Sequence, residues 1–313
     1  MTRNELGANM IRWNPFSRNN NGAQPAKQTG PTQQAPSHTD TVTAARTAIA
    51  GSTAADPRHI DRVLDLAEAL QHNFESTCEP SDLTAAADLF RTALYNTAGF
   101  APLAVTIGDR PLGELGHPAY GRMNDYEQEP IKQFEQFLRR GRQKIGHGPA
   151  WLAAGHTLGV ILADRVDSIF EPAIAIEAVR TLREVLDALP GDDPRRPDCL
   201  ADLGDALGTQ FERENGPFST TPADPALLDD AVRYCREGLS TAGDTDPQHR
   251  RLALSGTLLI RYMHTSQRSD IEEYVTVLRT VVASTDPTHP HRGMLAWRLR
   301  VGLDYLAAHS DPH

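Results

Sequence analysis

The sequence predicts an all-α protein built from stacked antiparallel helix–turn–helix units. Three observations carry that prediction. A short Asp-Pro linker recurs, an apolar frame of helical spacing follows each copy, and equivalent points of that frame return at similar intervals.

The linker reads Asp56-Pro57-Arg58-His59, then Asp193-Pro194-Arg195-Arg196, then Asp246-Pro247-Gln248-His249-Arg250, then Asp286-Pro287-Thr288-His289-Pro290-His291-Arg292. Asp is suited to cap the coming helix, and Pro to set φ in its first turn. The first helix of each unit carries apolar residues three and four apart, which places them on one face. These frames are Val63, Leu66, Ala67, Leu70 and Phe74; Leu158, Gly159 and Leu162; Leu200, Leu203, Gly204, Leu207 and Phe211; Leu252, Gly256, Leu259 and Met263; and finally Leu299 and Leu303. The small residue in the frame permits close approach of a neighbouring helix, at a propensity cost of up to ~1 kcal/mol for Gly against Ala.

A second amphipathic helix follows each first one. Its face reads Leu83, Ala86, Ala87, Phe90 and Leu94; then Ile174, Ala178, Leu182 and Leu186; then Leu228, Ala231, Val232, Cys235 and Leu239; then Ile271, Tyr274, Val275, Leu278 and Val281. Gly159 to Gly204 is 45 residues, Gly204 to Gly256 is 52, and Gly256 to Arg300 is 44. The long interval holds the Pro-containing insert Gly216 to Pro225. Ala67 to Gly159 is 92 residues, two such periods, so a degenerate unit is expected at 100–145. Its second helix carries Ile131, Phe134, Phe137 and Leu138, and Gly108 to Gly121 reads as a long Gly/Pro-rich loop.

The expected organisation is therefore a disordered tail over 1–40, N-terminal repeats over 41–145 and regular repeats over 146–313. The unpaired helix from about His291 to His309 reads as a cap on the apolar end. Asp311-Pro312-His313 begins another linker, so a continuing array is the alternative. In the tail, Asn, Gln, Gly, Pro, Ser and Thr leave too little apolar surface to offset ordering entropy. Met10 to Phe16 interrupts this, and Trp13 and Phe16 are candidates for docking onto another protein, with a tail that merely contains them or packs back on its own body as the alternative.

Composition narrows the function classes. Of the 313 residues, 39% are apolar but only 6% aromatic, which suits close-packed Ala- and Leu-rich helices better than a broad core. Net charge is −10, with residues 1–55 near +3 and the remainder near −13, which argues against a general nucleic-acid binder. The basic run Arg139, Arg140, Arg142 and Lys144 reads as a solvated helix end that suits the dipole, with an anion or acidic-partner site as the alternative. No run reaches the ~18 apolar residues of a membrane span, and the first residues lack the apolar centre of a signal peptide. Cys78, Cys199 and Cys235 have neither metal-ligand spacing nor an even count. Together these place the protein in the cytoplasm, off membranes.

No catalytic, cofactor or metal site is expected. His289 and His291 are too few for zinc, and their place in the linker supplies another cause. His147 and His156 are nine apart, too far to share one helical face neatly, and His156 reads as a groove or packing residue. Cys199 sits in a first turn, which favours a thiolate, but lies on the packing stripe, which buries it. Asp192-Asp193 and Asp229-Asp230 fall in a linker and at a helix start, where negative charge suits the dipole. No glycine-rich phosphate loop is present.

The stretches Leu200–Arg213 and Leu228–Leu239, with the linker Asp286–Arg292, resemble a bacterial tetratricopeptide-repeat family with long units. That family's units read roughly L-x-x-L-G-x-x-L-x-x-R-F/Y-x-x-S/T, a loop, then L-x-x-A-I/V-x-x-x-R-x-x-L. The resemblance spans 56–100 and 146–313, and departs from the pattern at Gly256, where Ser255 precedes it in place of Leu, and at His156–Val160, where the linker before the helix is Gly-rich. It implies a right-handed solenoid whose concave groove, lined by first helices, takes a partner peptide or helix. Helical phase then nominates Asp202, Asp205, Gln210, Arg261, Tyr262, Arg298 and Asp304 as groove residues. Family members often precede a CHAT protease or NTPase effector. The expected function is a protein-interaction scaffold or adaptor with a protein partner. One alternative is a sensor relaying partner binding to a separately encoded protease or NTPase. Another is an enzyme or small-ligand binder using 108–121 as a lid.

Overall fold

The computed structural model describes residues 38–51, 59–97, 106–107, 110–111, 125–164, 172–215, 223–240, 248–287 and 292–308. Within them the protein is helical throughout, apart from Thr106–Ile107 (β1) and Arg110–Pro111 (β2), which pair antiparallel. The helices are α1 His38–Ala50, α2 His59–Thr77, α3 Pro80–Thr97, α4 Asp125–Lys144, α5 Pro149–Asp164, α6 Pro172–Ala188, α7 Arg196–Glu214, α8 Ala226–Leu239, α9 Gln248–Thr265, α10 Arg268–Ser284 and α11 Arg292–Ala308. Helix begins three residues earlier than the Thr41 expected. The rest of the tail, with Trp13 and Phe16, lies outside the described residues, as does most of the expected loop at 108–121.

The predicted apolar faces of α2, α6, α7 and α10 are the buried ones, whereas in α11 Leu299 and Leu303 are half-buried and Leu295 and Gly302 are buried. Leu66, Leu70 and Phe74 of α2, Leu182 of α6, Leu203 and Leu207 of α7, and Ile271, Val275 and Leu278 of α10 are all buried. Helix pairs α2–α3, α5–α6, α7–α8 and α9–α10 pack as hairpins, and α11 packs on α10. One apolar cluster runs from Val42 to Ala231, and a second from Val232 to Leu295. The seam falls within α8, whose Ala231 joins the first while Val232 and Cys235 join the second.

Two hairpin turns 188 residues apart have the same construction. In the first, Cys78 takes φ 58° and its N–H bonds the Phe74 carbonyl at 2.8 Å; in the second, Ser266 takes φ 54° and bonds the Tyr262 carbonyl at 2.8 Å. The preceding hydroxyls, Thr77 and Thr265, donate to Asn73 and Arg261 carbonyls and accept the N–H of Glu79 and Gln267. A carboxylate nine residues on closes each turn: Asp82 accepts from Asn73, and Asp270 accepts from Arg261. Left-handed backbone costs a residue with a Cβ roughly 1–2 kcal/mol, and these flanking bonds hold it in place.

This turn corrects the repeat frame by one residue. Aligning Tyr262 with Phe74 and Phe211 puts Ser255, not Gly256, opposite Ala67 and Gly204, and Leu254 and Leu258 opposite Leu203 and Leu207. The environments agree. A Cβ on Gly204 would sit 2.6 Å from the Ala231 carbonyl, and one on Gly159 2.5 Å from Leu182, whereas one on Gly256 meets only Asp205 at 3.6 Å.

The linkers also act differently from expectation. Asp193 does not cap α7; it accepts the Arg195 N–H at 2.9 Å within the turn, and Arg195 at the N-cap makes no side-chain cap. Pro197, not Pro194, occupies the first helical turn. The linker arginine instead caps the helix before it. Arg196 donates to the carbonyls of Leu186 and Leu189, ten and seven residues back. Arg292 donates to Val282 and Thr285 at the same two offsets. Arg250 donates to the Gly238 carbonyl at the end of α8. A cation there satisfies orphan carbonyls and opposes the negative dipole end.

The helices form two layers, and only α4 is described between α3 and α5. Successive helices run antiparallel, so one intervening helix leaves α3 and α5 parallel: Thr157 bonds the Ala87 carbonyl and accepts from Arg91. The front layer is thus α3, α5, α7, α9 and α11. The back layer is α2, α4, α6, α8 and α10, tied by Arg140–Glu75, Arg139–Glu177, Arg142–Glu184 and Arg236–Glu273. The degenerate unit expected at 100–145, one helix carrying Phe134, Phe137 and Leu138 after a long loop, holds one helix, α4, among the described residues. The order expected for α2 and α3, with α2 in the first-helix layer, is reversed in space.

Candidate binding face

The front layer is joined by polar contacts from each helix to the next. Arg91 of α3 donates to Thr157 of α5 at 3.1 Å. His156 Nε2 of α5 lies 2.6 Å from Asp202 Oδ2 of α7. Asp198 of α7 accepts from His249 at 2.8 Å and from Arg250 at 2.7 Å, both on α9. Arg298 of α11 donates to the Ser255 hydroxyl of α9 at 3.2 Å. Burial lowers the His156 pKa, with the nearby Arg91 charge acting in the same direction against Asp202. Burial would raise the Asp198 carboxyl, but the bonds and charges of His249 and Arg250 outweigh it and hold the pKa at about 2.

These contacts account for several nominated groove residues. Asp202 is half-buried against His156. Arg261 is buried between Asp270 at 2.6 Å and Asp229 at 3.0 Å. Tyr262 is buried, with its ring 5.5 Å from Tyr305 of α11. Arg298 is buried and reaches Ser255, while its carbonyl accepts from Tyr274. All four are engaged inside the fold, because the next helix covers polar positions that helical phase alone places at a surface. Asp205 and Gln210 are half-buried, Gln210 bonding Glu214 at 2.7 Å, and Asp304 is exposed. Of the nominated residues, those that keep some surface thus lie on α7 and α11. At α5 every residue from Ala153 to Ala163 is buried, and Arg195 comes within electrostatic reach of Asp88.

The three arginines of the basic run are paired with acidic neighbours. Arg139 bonds Glu135 and Glu177, which raises its pKa, and Arg140 pairs with Glu75. Arg142 stacks 3.9 Å from the Trp151 ring centroid and pairs with Glu184. Cys199 and Cys235 are buried, and burial pushes both thiols well up, so the helix start does not make Cys199 reactive. His289 and His291 lie outside the described residues. Among those described, no cluster of three or more His, Cys, Asp or Glu is placed to hold a metal ion, and no helix is long and apolar enough to cross a membrane.

One feature had no signal in the sequence. An open, mainly apolar cleft of about 640 Å³ lies between the first half of α3 and the α4–α5 turn, lined by Pro80, Thr84, Ala85, Asp88, Ile145 and Pro149 among others. It arises because α3 and α5 run parallel, an arrangement that apolar periodicity does not encode. Comparison with protein-family models, curated proteins and solved structures finds no match for this chain.

Proposed function

We propose that this chain is a right-handed tetratricopeptide-like solenoid that holds a protein partner, in the role of a scaffold or adaptor. The observation that carries the reading is the front layer of parallel helices, linked side by side through His156–Asp202, Asp198–His249 and Arg298–Ser255. The matched turns at Cys78 and Ser266 support a repeat origin. Such a layer presents a continuous surface formed by several helices, and arrays of this kind use extended concave faces for binding. The partner segment lies along α7 to α11, against Asp205, Gln210 and Asp304.

The test is capture of the partner from a lysate by the full chain. A Gln210→Ala/Asp304→Ala variant should lose capture and keep its melting temperature. Arg261→Ala should lower the melting temperature, because it strands buried Asp270. Capture that survives substitution of Asp205, Gln210 and Asp304 together, in a folded protein, would overturn the reading.

A further inference from the structure

We propose that α11 docks onto a second copy of this chain. The contact is antiparallel and two-fold, through the flank that carries Leu299, Arg300, Leu303 and Asp304. This flank borders the face assigned to a partner and shares Asp304 with it.

The frame of the front layer shows what the flank lacks. Arg292 and Arg196 donate to the preceding helix at the same two offsets, which aligns α11 with α7. Leu295 then stands opposite Cys199 and Gly302 opposite Ala206, and all four are buried. Arg298 stands opposite Asp202, and each bonds the front helix before its own. The same frame sets Leu299 and Leu303 opposite Leu203 and Leu207. Those two are 0% exposed in α7, where α8 lies against the Gly204 between them. Leu299 and Leu303 are only half-buried. Among the described residues, no helix packs on α11 as α8 packs on α7.

Arg300 decides what can cover this flank. It occupies the position of Gly204, where even a Cβ would meet the Ala231 carbonyl at 2.6 Å. No helix can approach Arg300 that closely, so a further helix of the α8 kind does not fit. A wider contact that offers the guanidinium an anion does. Asp304 lies one helical turn on from Arg300, and both are exposed. A two-fold axis across the stripe brings Arg300 against Asp304 of the partner subunit, and Asp304 against Arg300 of the partner subunit. Leu299 and Leu303 close between them. The stripe is thus complementary to itself, as an isologous interface requires.

The far end of the described helices does not offer a matching surface for head-to-tail stacking. Where exposure is described, the exposed residues of α1 are Thr, Asp, Arg and Ala, with no large apolar side chain among them. α11 is 17 residues long, about 26 Å. A contact of that length lies at the small end of specific interfaces, so association depends on concentration.

The experiment is sedimentation equilibrium of the purified full chain over a concentration series, with no partner added. The average mass should climb from that of the monomer toward twice that value. Arg300→Asp and Asp304→Arg each set like charges face to face, and each should weaken association roughly tenfold or more. Both side chains are exposed, so helical circular dichroism should not change. An equimolar mixture of the two variants makes every facing pair opposite again and should restore the mass increase. A wild-type mass that stays monomeric would overturn the proposal, whether the flank is bare or covered by the chain's own residues. So would association that neither variant weakens, a mixture that stays monomeric, or a mass that climbs past twice the monomer. With no partner present, these outcomes leave the capture experiment to be judged by itself.

Discussion

Between the α2–α3 hairpin and α4 the space is filled by rings, whereas between α7 and α8 it is removed. Phe90 stacks on Phe134 at 4.0 Å, and Phe137 meets Phe74 edge-on at 5.7 Å. In the later hairpin, Gly204 lets α8 approach so closely that a Cβ would press on the Ala231 carbonyl, and a Cβ on Gly238 of α8 would stand the same 2.6 Å from the Pro197 carbonyl. The two regions meet at α5, which is buried almost all round. Large side chains hold a junction where the layers change phase, and small ones hold a regular one. A ring can bridge an irregular gap, while close helix contact needs a frame that repeats.

The largest test of that contrast is Phe134→Ala. It should cost about 4 kcal/mol in urea melts, in line with truncation of a buried aromatic. Hydrogen exchange should rise in α2 to α4 and stay unchanged in α9 to α11. An even loss across the chain would mean that the two regions do not differ in this way.

Gly204→Ala should cost about 3 kcal/mol, because the contact is backbone and cannot yield. Gly256→Ala is its counterpart one residue out of frame. It should be neutral or gain up to ~1 kcal/mol of helix propensity, read by the same melts. Equal losses at both positions would restore Gly256 to the frame.

Arg196→Ala removes the donor to the last carbonyls of α6 and should cost about 1.5 kcal/mol, the scale of one hydrogen bond to a charged group. Arg292→Ala should do the same at the end of α10, since the two arginines use the same offsets. Unequal effects would show that the linkers are not equivalent.

The smallest expected effect is one of pH. Glu212, near the end of α7, is pushed up to about 7 by desolvation, with Arg213 opposing. A carboxyl raised in the folded state binds its proton there first, so its contribution is present below the ordinary value of 4.5 and fades as pH rises through 7. Asp198 has the opposite sign: its stabilisation holds above 3.8 and fades as pH falls toward 2. Melting temperature against pH should flatten between 4.5 and 7 in Glu212→Gln, and at the acid end in Asp198→Asn.

What could be read from residues alone follows from local physics. Apolar residues three and four apart settle which face of a helix is buried, and Leu66, Leu203 and Leu278 lie where that rule puts them. Two adjacent small residues, Ser255 and Gly256, look equivalent to that rule, and only the turn at Tyr262 separates them. The linker arginines were visible as a repeat, but their work lies across the loop, on the helix before.

Nothing in the periodicity says which layer a helix joins, because an amphipathic rod buries the same stripe in either. That depends on how many rods lie between two others, and among the described residues α4 is the one helix between α3 and α5. The same limit applies to Asp202, Arg261, Tyr262 and Arg298. Their spacing is a property of one helix, but their burial is decided by the helix packed next to it.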